Sequence, residues 1–159
     1  MNVSDILRQK KSSRIVTIRM NETVETAARL LQRENISALV VKDDCDTEGT
    51  VAVGMVTERD VVSAVALYGA AGLVRRVSDL ISVQRLISCR SSDTLDEVRR
   101  LMSEHHIRHL PVIDDHGLIG VISMRDVGLA GLDATDRAGV IAVSSAYASS
   151  ATRPAAPPQ

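Results

Sequence analysis

The strongest constraint on this chain is that it says nearly the same thing twice. Residues 3–7 read VSDIL and residues 77–81 read VSDLI. The stretch 23–41, TVETAARLLQRENISALVV, returns as 94–112, TLDEVRRLMSEHHIRHLPV, at a constant offset of 71. Further on, GMVTERDV from Gly54 returns as GVISMRDV from Gly120 at an offset of 66. The difference is one loop after Asp43, five residues longer than its counterpart after Asp114. A period of this size marks one supersecondary unit present twice, and a unit of about 60 residues is marginal alone. The two units are therefore expected to pack together.

Each repeat carries the same local pattern. A short apolar stretch (15–18; 86–89) precedes a helix whose apolar residues fall on one stripe: Val24, Ala27, Leu30 and Leu31, or Leu95, Val98, Leu101 and Met102. Thr94 and Glu97 have the spacing of a capping box. Strands are predicted at 38–42 and 51–56, and again at 109–114 and 118–122, with a second helix beginning at Glu58 or Met124. Apolar strands interleaved with helices define an α/β (α+β) unit whose sheet is covered on at least one face. Pro111 has no N–H to give a ladder, so its strand is expected to lie at an edge or to begin there. The helix after Glu58 runs into VVSAVALYGAAGL, apolar around more than one face, which calls for cover from the other repeat or from a second subunit. The domain reading is repeat 1 over 1–70, repeat 2 over 71–132, and a tail over 133–159. Its Ala, Ser and Pro composition is that of a disordered segment.

Composition removes several functions. With no Trp, no Phe and two Tyr (Tyr68 and Tyr147), the chain lacks the stacking platforms on which single-stranded nucleic acids lie. Its 19 basic and 20 acidic residues give a net charge of -1, without the positive excess that neutralises phosphates. Cys45 and Cys89 form neither a CxxC pair nor a secreted disulfide pattern, the first residues lack a signal peptide's apolar segment, and no run is long enough to span a membrane. The expectation is a cytoplasmic protein with no nucleic-acid or membrane partner.

The chemistry-bearing feature is glycine, two apolar residues, Thr or Ser, two residues, then Asp: Gly54, Thr57 and Asp60, and again Gly120, Ser123 and Asp126. Its spacing is that of a strand running into a capped helix. The same geometry offers a hydroxyl and backbone amides to an anion and a carboxylate to vicinal ribose hydroxyls, with Arg59 or Arg125 alongside. Both readings stay open at this point. Glu104, His105, His106 and His109 are a candidate metal set by residue type, but the sequence after them reads as a strand, so helical spacing does not carry through and no metal is assigned. His116 is read as a turn residue, and no nucleophile and base pairing is legible, so no enzymatic activity is expected.

Taken jointly, the VSDIL lead-in, the amphipathic helix, ISALVV or IRHLPVID, and GMVTERDV or GVISMRDV resemble the CBS domain, the cystathionine-beta-synthase-type repeat, present as a tandem pair over residues 3 to about 130. The resemblance implies two β-α-β-β-α repeats packed as a pseudo-twofold pair with two clefts between them. It also implies an adenosine ligand (AMP, ADP, ATP, NAD(H) or S-adenosylmethionine, with AMP or ATP favoured), a homodimer, and a regulatory role toward an effector protein. Carried over by position, the ribose acceptors are Asp60 and Asp126, with Thr57 and Ser123 beside ribose or phosphate. The base-lining positions are Thr17 and Ile36 for the Asp126 cleft, and Ser88 and Ile107 for the Asp60 cleft. Positions that carry basic residues in the family are Arg108 and His109 in repeat 2 but Ser37 and Ala38 in repeat 1. The Asp126 cleft is thus expected to prefer a charged nucleotide. The alternative is a dimeric interaction scaffold with no ligand.

Overall fold

The computed structural model describes residues 1–10, 14–45, 49–81, 86–115, 117–130 and 132. His116, Tyr147 and the 133–159 tail lie outside the described residues. In chain order the elements are α1 (Val3–Gln9), β1 (Thr17–Arg19), α2 (Val24–Glu34), β2 (Ala38–Cys45), β3 (Gly49–Thr57), α3 (Glu58–Tyr68), two 3-10 turns (Gly69–Val74 and Val77–Asp79), α4 (Leu95–Glu104), β4 (His109–Asp114), β5 (Gly117–Ser123) and α5 (Met124–Leu129).

The first helix of each repeat begins and ends by the same devices. The Thr23 hydroxyl accepts the Thr26 N–H at 3.2 Å, and the Thr94 hydroxyl accepts the Glu97 N–H at 3.3 Å. Glu97 completes the expected capping box by accepting the Thr94 N–H at 2.7 Å. Beyond the C-terminal ends, Asn35 (φ 51°) and His106 (φ 53°) take the left-handed conformation that stops a helix. The apolar stripes turn inward as read: Val24, Ala27, Leu31, Leu95, Val98 and Met102 are buried.

In repeat 1, β1 pairs parallel with β2 and β2 pairs antiparallel with β3. The β2–β3 ladder runs out to Cys45 and Gly49, past the predicted ends at 42 and 51. Ladder bonds are made by backbone, so pairs such as Asp44 with Thr50 extend a strand beyond its apolar run. Repeat 2 keeps the β4–β5 hairpin, but its first strand shrinks to a single parallel bridge between Cys89 and Val112. Pro111 explains the loss. In repeat 1 the Val40 N–H donates to the Val16 carbonyl at 3.1 Å, and the residue 71 positions on is Pro111, which has no N–H. The proline keeps its carbonyl, which accepts the Cys89 N–H at 3.1 Å, and its missing donor faces the edge of a two-stranded sheet.

The two lead-ins change places. Val3 and Ile6 of α1 are buried in the core of repeat 2 with Leu95, Val98, Met102, Leu110, Val112 and Ile122. Val77, from the second lead-in, is buried in the core of repeat 1 with Ile18, Ala27, Leu31, Leu39, Val41 and Val56. Each lead-in runs across the glycine of the repeated motif. A Cβ built on Gly120 would stand 2.8 Å from Leu7 Cδ2, and one on Gly54 would stand 2.9 Å from Ile81 Cδ1. Both glycines sit opposite a β-bulge, between Val41 and Lys42 or between Val112 and Ile113. Both cores are aromatic-free, and Tyr68 is exposed beneath the Arg75 guanidinium, 4.1 Å from its ring centre.

Within the chain, α3 is covered on one side only. Ala64 is buried against Gly72, where a Cβ would come within 2.4 Å of the Ala64 carbonyl oxygen. Val62 (66%), Leu67 (75%) and Val74 (71%) stay exposed, so among the described residues nothing from the other repeat covers this face.

The seating of Leu7 on Gly120 has a direct test. Gly120→Val should lower unfolding stability in urea by about 1–3 kcal/mol through overpacking. Adding Leu7→Ala should cost less in that variant than in the wild type, because the cavity it opens receives the new valine. Additive losses would show that the two residues do not meet.

Candidate functional site

At the start of each repeat's second helix one acidic residue is tied into a tight cap. Asp60 Oδ2 accepts the Thr57 N–H at 2.8 Å and the Thr57 hydroxyl at 3.0 Å. Asp126 Oδ2 accepts the Ser123 N–H and hydroxyl, both at 2.7 Å, while the Ser123 hydroxyl accepts the Asp126 N–H at 3.2 Å. The capping reading is therefore true of both motifs, and it leaves Oδ1 of each carboxylate outside the hydrogen bonds found among the described residues. A carboxylate fixed through one oxygen presents the other in a set direction, where it can accept a sugar hydroxyl.

Beyond the caps the two sites differ. Asp126 has a partner that local sequence did not suggest: the Lys10 ammonium lies 2.8 Å from Oδ2 and donates to the Val121 carbonyl at 2.9 Å. Lys10 stands at the end of α1, so the crossed lead-in carries it there. Its signal in the sequence is the basic run after VSDIL, but only the exchange of lead-ins says which carboxylate that run meets.

His109 faces Ser123 across the β4–β5 ladder, and its Nε2 lies 3.0 Å from the Ser37 hydroxyl of the other repeat. Burial holds the His109 pKa below its ordinary value. Lys10 and Arg108 push the same way, against Asp126 and Glu58. The ring is thus neutral near pH 7, and positive charge at this site comes from Lys10 and from the exposed Arg108, whose carbonyl accepts the Met124 N–H at 2.8 Å.

Of the residues expected to form the sites, the structure gathers Ser123, Asp126, Arg108 and His109 in one place and Thr57 with Asp60 in the other. Thr17 pairs with Val40 in the sheet, and Ile36 packs on the first core. Ser88 precedes the Cys89 bridge, and Ile107 packs on the second core. Among the described residues no hydrogen bond joins Thr17 or Ser88 to the carboxylate of its expected cleft. Ile36 instead opens, with Ser37, Glu58, Val61 and Val62, on a depression of about 670 Å³. Ser88 opens with Arg90, Asp93 and Asp115 on one of about 440 Å³. Arg59 and Arg125 are exposed.

The remaining chemistry-bearing residues are accounted for by their surroundings. Among the described residues no group of three or more His, Cys, Asp or Glu gathers as a metal site, and His105 and His106 are exposed at the end of α4. Cys89 is a free thiol whose pKa burial pushes up to about 12, with Asp93 and Asp114 adding to the rise, so it carries no thiolate at neutral pH. No described helix is long and apolar enough to cross a membrane.

The family model for the CBS domain matches residues 3–67 and again 77–129. The chain belongs to the CBS-domain family. The CBS domain-containing protein YhcV of Bacillus subtilis is 28% identical over 123 residues, 77% of this chain and 83% of that protein. The mitochondrial CBSX3 of Arabidopsis thaliana is 29% identical over 129 residues, 79% of this chain but 62% of its own length. Among solved structures, the CBS-domain containing protein ATU1752 of Agrobacterium tumefaciens matches with a TM-score of 0.74 and 35% identity, over 82% of this chain and 93% of that one. The CBS-domain pair of protein MJ0100, in complex with 5'-methylthioadenosine and S-adenosyl-L-methionine, matches at 0.67 and 25%, over 80% and 93%. The fold is thus the two-repeat α+β fold of CBS-domain pairs, a class of regulatory ligand-binding module, and the matching family is not a catalytic one.

His109 sets an expected pH dependence. A histidine held below its ordinary pKa is neutral in the folded protein, while the unfolded chain takes up the proton first, so stability is lost as pH falls below 6.5 toward the folded value. Urea unfolding between about pH 7.5 and about pH 5.5 should show a loss that His109→Gln reduces. An equal loss in both proteins would place the acid sensitivity elsewhere.

Proposed function

We propose that this CBS pair is a regulatory module that binds an adenosine ligand of the AMP or ATP class and signals its occupancy to another protein. It performs no catalysis of its own. The observation that carries the reading is the Asp126 carboxylate, fixed by Ser123 through Oδ2 and paired with Lys10, with His109 nearby and Arg108 next to that histidine. An acceptor for sugar hydroxyls next to one standing cation, with a second beside the neighbouring histidine, fits a nucleoside carrying a phosphate. The adenosine compounds bound by the MJ0100 pair support the ligand class.

In this reading Asp126 and Asp60 accept ribose hydroxyls, and Ser123 and Thr57 lie beside ribose or phosphate. Thr17 and Ile36 line the adenine in the Asp126 cleft, and Ser88 and Ile107 line it in the Asp60 cleft. With no aromatic side chain in either core, adenine rests on methyl groups and backbone, and affinity depends on ribose and phosphate contacts. The Asp126 cleft takes the charged nucleotide. At the other site the positions of Arg108 and His109 are held by Ser37 and Ala38, so the Asp60 cleft stays empty or takes a less charged ligand. A ligand that touches both repeats favours whichever arrangement closes the cleft, and that population shift is the signal.

The module works as a homodimer in the cytoplasm, away from nucleic acid and membranes, with α3 and the Gly69–Val74 turn as the joint. What supports a second copy here is composition. Residues 61–74 carry no charge, and near a twofold axis a charged residue would meet its own like charge. Exposed Val62, Val65, Leu67 and Val74 supply the apolar surface.

Two measurements check these readings. In a thermal-shift panel of AMP, ADP, ATP, NADH and S-adenosylmethionine, at least one adenosine compound should raise the midpoint, by the equivalent of about 2.7 kcal/mol at a hundredfold excess over Kd. Asp126→Asn should reduce that shift more than Asp60→Asn, each against its own ligand-free midpoint, since asparagine keeps a capping oxygen. No shift with any compound at millimolar concentration would favour the ligand-free scaffold. For the dimer, Leu67→Asp should halve the mass seen by light scattering, and an unchanged mass would move the joint elsewhere.

A further inference from the structure

We infer that Lys10 is the specificity residue of the Asp126 cleft, an occupant from the chain itself that an incoming nucleotide exchanges for its own phosphate. The inference rests on the ligand reading above. Asp126 Oδ2 already accepts three donors, from the Ser123 N–H, the Ser123 hydroxyl and the Lys10 ammonium. A carboxylate that receives both hydroxyls of a ribose uses both oxygens, and with Lys10 in place only Oδ1 has room. The two Ser123 bonds belong to the cap of α5 and stay; the ammonium is the donor that gives way.

The surroundings make that exchange selective. Lys10 is held at a second point, the Val121 carbonyl, and its side chain is only 26% exposed, so moving it costs a part-buried ion pair and a hydrogen bond. A neutral nucleoside brings two hydroxyls and nothing for the ammonium. A nucleotide brings the hydroxyls and an anion within reach of a flexible four-carbon stem, so the charge finds a new partner without returning to water. Lys10 thus penalises adenosine and admits AMP. Among the described residues no ion pair reaches Asp60, and the position that corresponds to Lys10 in the second lead-in is Gln84.

The residue also ties the cleft to the fold. Lys10 caps α1, its N–H donating to the Ile6 carbonyl at 3.1 Å, and Ile6 and Leu7 pack on the second core and on Gly120. Ligand exchange at the ammonium therefore acts at the end of the crossed lead-in, one helical turn from its buried anchor.

The test is calorimetric titration of the full chain with adenosine and with AMP, on wild type, Lys10→Met and Lys10→Arg, with circular dichroism to confirm the fold of each. Lys10→Met should bind adenosine more tightly and AMP less tightly, so that the preference for AMP falls by about tenfold or more. Lys10→Arg should keep a preference for AMP. In an Asp126→Asn background, Lys10→Met should no longer tighten adenosine. An unchanged preference in Lys10→Met, or a fall that comes from AMP alone with adenosine unaffected, overturns the exchange while leaving the ligand reading intact. Binding of neither compound by any of the proteins removes the ligand reading, and this inference with it.

Discussion

A leucine seated on a glycine organises this molecule. Leu7 can lie across β5 only because residue 120 has no side chain, and Ile81 lies across β3 only because residue 54 has none. Those two contacts direct the lead-ins, each into the core of the repeat it does not precede on the closest reading of the chain: Val3 and Ile6 into the second, Val77 into the first. The units are joined by exchanged segments, so neither core is complete without chain from beyond its own strands. A buried valine or isoleucine contributes about 1.5–3 kcal/mol, a large fraction of a small domain's net stability.

The same crossing explains why two sites with the same motif have different chemistry. Thr57 with Asp60 and Ser123 with Asp126 make nearly the same cap, with distances of 2.7–3.0 Å from hydroxyl or amide to Oδ2. What distinguishes them is delivered from outside the motif: Lys10 from α1, and His109 from β4 with its link to Ser37. A duplicated fold duplicates its caps, and the differences between the copies lie in what the neighbouring segments bring to them.

That division also marks what the sequence could and could not say. The caps at Thr94 and Glu97, the inward stripes of α2 and α4 and the starts of α3 and α5 were legible because each is set within a few residues. The reach of the β2–β3 hairpin to Cys45 and Gly49 was not, because ladder bonds do not depend on side-chain character. Pro111 announced an edge, and the structure shows which bond it removes, the one that Val40 makes to Val16 in the first repeat. Lys10 was invisible as a site residue since its partner lies 116 positions away in sequence. Ser123 and Asp126 are bonded to each other and His109 faces Ser123, as their nearness in the motif and the hairpin allows, while Thr17, Ile36, Ser88 and Ile107 were placed by resemblance to a family and have no bond to the carboxylates among the described residues.

Ligand sensing in this module depends on whether Asp126 serves a ribose when a nucleotide is present. A crystal structure of the protein grown with excess AMP tests this most directly. It should show both ribose hydroxyls within about 3 Å of the Asp126 oxygens and the Lys10 ammonium moved from Oδ2 to the phosphate. AMP bound elsewhere with the 2.8 Å Lys10–Asp126 pair intact would contradict it.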